Sequence, residues 1–167
     1  LLWGSWWAVP CFAAYGVLYG SSTDSRWHEC GHGTAFRTRW MNDVIYQVAS
    51  FMVLREPTVW RWSHTRHHTD TIIVGRDPEI AAQRPTQVLK VLLTFIGLPQ
   101  AKDYAQKITI HSTGRLLPDE ATFIPEAERP KVYRIARIHI AIYLVVIAWA
   151  LVSWNILPLM YVGLPSF

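Results

Sequence analysis

Charge is scarce in this sequence. Of its 167 residues only 17% are Asp, Glu, Lys or Arg, below the quarter or so typical of soluble domains, which argues against an ordinary water-soluble globule. Cysteine is scarcer: Cys11 and Cys30 are the only two, no disulfide framework can be built from them, and a reducing compartment is expected. Internal repeats and low-complexity tracts are absent. So are an initiator methionine and a charged segment ahead of the apolar Leu1–Gly20, which makes a secretory signal peptide a poor account of that stretch. Both ends of the chain fall inside apolar stretches, and it is expected to be a piece of a longer protein. The net charge is +4, yet no basic block exists. The basic residues are scattered around apolar segments, which suits membrane orientation and not nucleic-acid binding.

What the chain does contain is apolar and aromatic surface: 51% hydrophobic residues, 13% aromatics and nine tryptophans. Tryptophan concentrates where a helix meets lipid headgroups, because its ring is apolar while its N–H needs a polar partner. Trp3, Trp6, Trp7, Trp60, Trp62, Trp149 and Trp154 fit such belts. The expected fold is therefore all-α, an integral membrane protein with cytoplasmic and interfacial helices. Leu1–Gly20 carries no charge and is long enough to cross a hydrocarbon core of roughly 30 Å, with a kink expected at Pro10. Met41–Leu54 is shorter and carries Asn42, Asp43 and Gln47, so an interfacial or buried helix is expected. Thr86–Leu98 is a short apolar stretch at the membrane surface or dipping into it. Ala101–Lys131, broken by Pro118, Pro125 and Pro130, reads as a water-facing connection. Arg129, Lys131, Arg134 and Arg137 precede the apolar Ile138–Ile156, marking the cytoplasmic end of a second span. Asn155 and Pro158 then make a turn into a returning helix that begins in Leu157–Phe167. One partial domain results: a membrane helix over 1–20, a cytoplasmic or interfacial region over 21–137, and a membrane hairpin over 138–167.

The polar region between the spans holds five of the seven histidines in two short windows. In His28-Glu29-Cys30-Gly31-His32 the imidazoles are four residues apart, which stacks them on one helical face. In His64-Thr65-Arg66-His67-His68 they fall at i, i+3 and i+4, again one face. Metal binding is the economical reading, although neutral imidazole serves zinc, copper, iron and nickel alike. The first window also matches His-Glu-x-x-His, the zinc-protease pattern in which the glutamate is a general base. Against a protease stands the second window, whose three histidines such an enzyme would not need. Cys30 points off the shared face and reads as packing. Arg66 also points off it and reads as solvated, or as a contact for lipid phosphate or an acidic redox partner. His111 reads as an ordinary satisfied polar residue and His139, at the cytoplasmic start of a span, as a surface anchor in preference to an extra ligand.

His28-x-x-x-His32 followed by His64-x-x-His67-His68, in this membrane setting, resembles the membrane fatty acid desaturase and hydroxylase superfamily. Trp60-Arg61-Trp62-Ser63-His64 and Arg76-Asp77-Pro78-Glu79 also look like sequences of that kind. The resemblance implies two iron ions and O₂, with His28, His32, His64, His67 and His68 as metal ligands and no catalytic residue beyond the ligands. Glu29, Asp70 and Asp77, with Glu79 as a further candidate, would hydrogen-bond the imidazoles and fix their tautomers. It further implies a fatty acyl or other hydrophobic substrate, membrane lipid contact, and an electron donor of ferredoxin or cytochrome b5 type with its reductase. Members carry a third histidine box after the hairpin, which this chain does not reach, so residues 1–167 alone are expected to be inactive. Desaturation of an acyl chain is the favoured reaction, with hydroxylation of an alkane, carotenoid or other hydrophobic substrate as the rival. The active site is expected on the cytoplasmic side.

Overall fold

The computed structural model describes residues 4–80, 87–94 and 97–162. Among the described residues the chain is helical throughout, without strands: α1 (Ala8–His32), α2 (Arg39–Met52), α3 (Pro57–Asp70), α4 (Val88–Thr94), α5 (Leu98–Ser112), α6 (Arg129–Val152) and α7 (Leu157–Val162), with short 3-10 turns at Glu120–Thr122 and Glu126–Glu128. Two compact units divide it: Leu1–Leu54 with Val145–Phe167, and Arg55–Leu144.

In the first unit, the apolar start of the chain and the first histidine cluster turn out to be one continuous helix. α1 runs 25 residues and ends at His32. Pro10 stands in its first turn, where the missing N–H would have had no intrahelical partner, so no kink is required. The helix is stopped by Gly33, which takes the left-handed conformation at φ 72°, a conformation that costs glycine nothing. Gly33 N–H donates to Cys30 O at 3.0 Å and Thr34 N–H to Glu29 O at 3.1 Å, the paired C-terminal bonds that absorb the last carbonyls of a helix.

The chain then turns back through α2, whose buried face is Asn42, Tyr46, Ala49 and Ser50. Asn42 holds the turn: its Oδ1 accepts from Phe36 N–H at 3.0 Å while its amide donates to Phe36 O at 2.7 Å. Tyr46 stacks on Trp27 with ring centroids 6.0 Å apart, a geometry worth about 0.5–1.5 kcal/mol beyond area burial. The glycine between the two histidines of α1 is explained here. A Cβ on Gly31 would stand 3.0 Å from Tyr46 Cε2, and that ring is fixed by its stack. At the far end of the unit Asn155 Oδ1 accepts from Leu157 N–H at 2.9 Å, making the expected turn into α7, where Tyr161 meets Tyr15 edge-on at 6.3 Å.

The second unit is built on α3, α5 and the start of α6. Glu56 caps α3, its Oε2 accepting from Val59 N–H at 2.5 Å, and Pro57 follows at the first helical position, where its fixed φ is an advantage. The core joins Val59, Ile124 and Val132, with Trp62, Leu116, Phe123 and Tyr133 packed around it. Fully burying each such aliphatic contributes about 1.5–3 kcal/mol. This corrects the water-facing connection expected over Ala101–Lys131. The segment contains α5, and its Tyr104, Ile108, His111, Glu120 and Ile124 are all buried. Its prolines fall after α5, at the 3-10 turns and at the head of α6, and so interrupt no long helix. His139 is corrected as well: it is 4% exposed, and Tyr104 Oη lies 2.6 Å from its Nδ1, so it is a buried hydrogen-bonding group and not a surface anchor.

Two spans were expected. Among the described residues one helix, Glu126–Val152, is long and apolar enough to cross a membrane, with 27 residues and a mean hydropathy of 2.2 in its most apolar window. At 1.5 Å per residue it rises roughly 40 Å. In α1 the apolar stretch is Ala8–Tyr19, shorter than the Leu1–Gly20 expected, and Leu1–Trp3 lie outside the described residues. The hairpin expected over 138–167 is described as far as Val162.

Replacing Gly31 with valine tests the packing. The expected loss is about 1–3 kcal/mol from forcing a branched side chain into a filled site, read as a lowered thermal midpoint of the detergent-solubilised parent protein, whereas Gly16→Val, with nothing within 4 Å of its Cβ position, should leave the midpoint nearly unchanged.

Candidate metal centre

On α1, His28 and His32 stand one above the other with ring centroids 4.7 Å apart and planes at 72°. Glu29 lies between them in sequence and beside them in space. Its Oε1 is 3.3 Å from His28 Nδ1, and its Oε2 accepts from Thr34 Oγ1 at 3.0 Å. The bond from Thr34, then that from His28, holds the Glu29 carboxyl below its ordinary range. Cys30 is 1% exposed, and burial pushes its thiol up, away from the thiolate that metal binding requires.

On α3 the three histidines fall on one face, as their spacing dictates. His64 and His68 rings lie 4.6 Å apart and nearly perpendicular, with their Nε2 atoms 3.1 Å apart. His67 stacks parallel to His64 at 5.8 Å. What fixes these rings is the turn after α3. Glu79 Oε2 accepts from His64 Nδ1 at 3.0 Å while its Oε1 accepts from Ser63 Oγ at 2.9 Å. Asp77 takes His67 Nδ1 on both oxygens, at 2.9 and 3.0 Å. A carboxylate opposite Nδ1 puts the hydrogen on that nitrogen and the lone pair on Nε2. Both imidazoles are thereby in the form that binds a metal ion through Nε2.

Asp77 organises its own turn as well. It accepts from Ile72 N–H and Glu79 N–H, each at 2.9 Å. Ile72 is held at φ 66°, a left-handed conformation unfavourable to a β-branched residue; strain of this sort costs about 1–3 kcal/mol and persists only where surrounding bonds over-determine it. Gly75, at φ 82°, completes the bend foreseen at Gly75-Arg76-Asp77-Pro78. Burial pushes the Asp77 carboxyl up, but the bonds from His67, Glu79 and Ile72 together outweigh that and leave it below its ordinary range. Asp70 is otherwise engaged: it pairs with Arg66 one turn back. Arg66 is therefore not the simply solvated arginine expected.

Comparison with known proteins adds the family. The sequence pattern of the fatty acid desaturase family matches residues 4–167. The chain belongs to that family. Among its curated relatives in the desaturase group, an omega-6 fatty acid desaturase, endoplasmic reticulum isozyme 1, from Glycine max is 27% identical over 99 residues, 58% of this chain and 25% of the relative. A delta(12) fatty acid desaturase from Mortierella alpina is 25% identical over 114 residues, covering 66% and 26%, and a delta(12) acyl-lipid conjugase (11E,13E-forming) from Impatiens balsamina is 31% identical over 75 residues, covering 45% and 18%. The chain thus spans about a quarter or less of these relatives' lengths. No solved structure matches it.

Sequence reasoning placed the histidines of this desaturase-family chain on helix faces but underweighted Glu79 and passed over Ser63. The signal available was the spacing: two carboxylates, two residues apart around a proline, within one tight turn of the end of α3. In Asp77→Ala the hydrogen on His67 should redistribute between Nδ1 and Nε2, while His64, held by Glu79, keeps its tautomer. Side-chain ¹⁵N shifts of the two residues check this.

Proposed function

We propose that this chain is part of an O₂-dependent, iron-containing membrane oxidase that desaturates a fatty acyl chain, with His28, His32, His64, His67 and His68 among the iron ligands. The single observation that supports this most is the pairing of His64 and His67 with Glu79 and Asp77, which sets the metal-binding tautomer in a chain of the desaturase family. The donor set fits the group: neutral imidazoles held by carboxylates are suited to iron, and the nearby thiol is buried and kept protonated. When bound, iron supplies the activation of O₂ needed to oxidise an unactivated C–H bond. In overall balance two hydrogens leave adjacent acyl carbons, and O₂ with two further electrons and protons becomes two waters. The electrons come from a separate donor of ferredoxin or cytochrome b5 type with its reductase.

The residues of the chain itself orient and insulate. Asp77 and Glu79 keep the α3 imidazoles from rotating, and Gly31 lets α2 press against the helix turn that carries His28 and His32. Glu29 does for His28, at a longer distance, what Asp77 does for His67. That role accounts for the His-Glu-x-x-His match without a proteolytic base. The apolar Glu126–Val152 helix and the basic residues near its start, Arg129, Lys131, Arg134 and Arg137, support a membrane setting with the site on the cytoplasmic side.

Two measurements on the parent protein test the reading. Metal analysis should find about two irons per chain by the family expectation that each iron is held by several histidines; a single zinc in their place contradicts it. In cells fed a saturated or monounsaturated fatty acid, His67→Ala should abolish the new double bond, and an unchanged lipid profile counts against this ligand.

A further inference from the structure

Away from the histidine clusters, Glu56, His111 and Glu120 are among the ionisable groups that the second unit buries and the reaction does not use. Glu56 is 4%, His111 0% and Glu120 2% exposed. His111 Nε2 lies 2.6 Å from Glu120 Oε2, which also accepts from Leu117 N–H at 3.1 Å. With its hydrogen on Nε2 and donated to Glu120, His111 presents a bare lone pair at Nδ1, and that atom has no hydrogen-bond partner. Glu56 is in the complementary position. Its Oε2 caps α3 through Val59 N–H, while its Oε1 has no partner. Leaving such atoms unpaired in a dry interior costs about 1–3 kcal/mol each, and buried water is the usual remedy.

We propose that Glu56 is a positioning residue for the second histidine cluster: one internal water joins Glu56 Oε1 to His111 Nδ1, so that the cap of α3 and the buried His111–Glu120 pair form a single hydrogen-bonded chain. The bridging water has two groups to satisfy. It donates to His111 Nδ1 and accepts from the hydrogen on Glu56, whose carboxyl is pushed up to about 7 by burial against the pull of Val59 N–H, Thr58 N–H and the field of His111. The mechanical consequence runs along α3. Glu56 fixes the first turn, Val59 locks that turn into the core with Ile124 and Val132, and His64 follows within two turns. His111, from α5, thereby steadies α3 through its cap.

The inference concerns α3 and rests on the proposed iron site only for the claim that α3 must be steady to hold metal. The test therefore uses two readouts on the parent protein: hydrogen exchange of the Val59–Ser63 amides, and iron per chain. Glu56→Gln keeps a carbonyl for Val59 N–H and an N–H for the water, and should preserve both. Glu56→Ala should speed exchange in this segment at least about tenfold, the equivalent of 1.4 kcal/mol of local opening, and reduce iron content. His111→Phe, which fills the same space without Nδ1, should reproduce the faster exchange from the other side of the chain. Unchanged exchange in His111→Phe, or loss of protection in Glu56→Gln equal to that in Glu56→Ala, overturns the proposal. If wild-type protein holds no iron, the oxidase reading fails, while the exchange comparison still decides whether Glu56 and His111 are linked.

Discussion

The bond between a carboxylate and an imidazole is the constraint on which this structure turns. A histidine on a helix surface can rotate about two side-chain bonds and carry its hydrogen on either nitrogen, and neither freedom is compatible with a fixed metal site. In α3 both are removed by the turn that follows the helix. Asp77 grips His67 Nδ1 with both oxygens, and Glu79 grips His64. The Asp77 carboxylate also collects the backbone N–H groups of Ile72 and Glu79, so the loop that orients the rings is shaped by a group that does the orienting. His28 has a weaker version, its neighbour Glu29 at 3.3 Å.

The architecture follows from that need for fixed imidazoles. α1 carries its histidines at its very end, where Gly33 and Thr34 close the helix, and the close approach of Tyr46 to Gly31 presses that end against α2. α3 carries its histidines in its last two turns and is held at its first by Glu56 and Val59. In both cases the histidine-bearing turn is tied down by contacts on the same short stretch of chain, and the long apolar helix α6 supplies part of the bed on which the second unit packs, through Val132 and Ala136.

Much of this was legible beforehand because histidine spacing is a local property. Residues at i, i+3 and i+4 share a helix face whatever surrounds them, so both clusters and their faces could be read directly, as could the turn at Gly75–Pro78. Less legible was anything decided by tertiary packing. The full length of α1, Ala8–His32, is hidden in the sequence because polarity changes at Ser21 while helix geometry does not. Ala101–Lys131 reads as a connection because prolines break helices, whereas Pro118 and Pro125 stand outside the long helices and Pro130 in the first turn of α6. His111 and His139 could not be distinguished from surface histidines by sequence, since their burial comes from partners nine and 35 residues away. Asp70 and Asp77 were equivalent candidates on paper; the positive φ at Ile72 brings the chain back so that only the second of them reaches an imidazole.

The central claim is that the α3 histidines, oriented by Asp77 and Glu79, bind iron. Iron K-edge X-ray absorption of the iron-loaded parent protein tests it most directly, by comparing wild type with a variant in which His64 and His67 are both alanine. The account predicts imidazole scattering around iron in the wild type and a clear loss of it, with loss of iron, in the variant. An iron environment identical in the two proteins, or one without imidazole in the wild type, would contradict it.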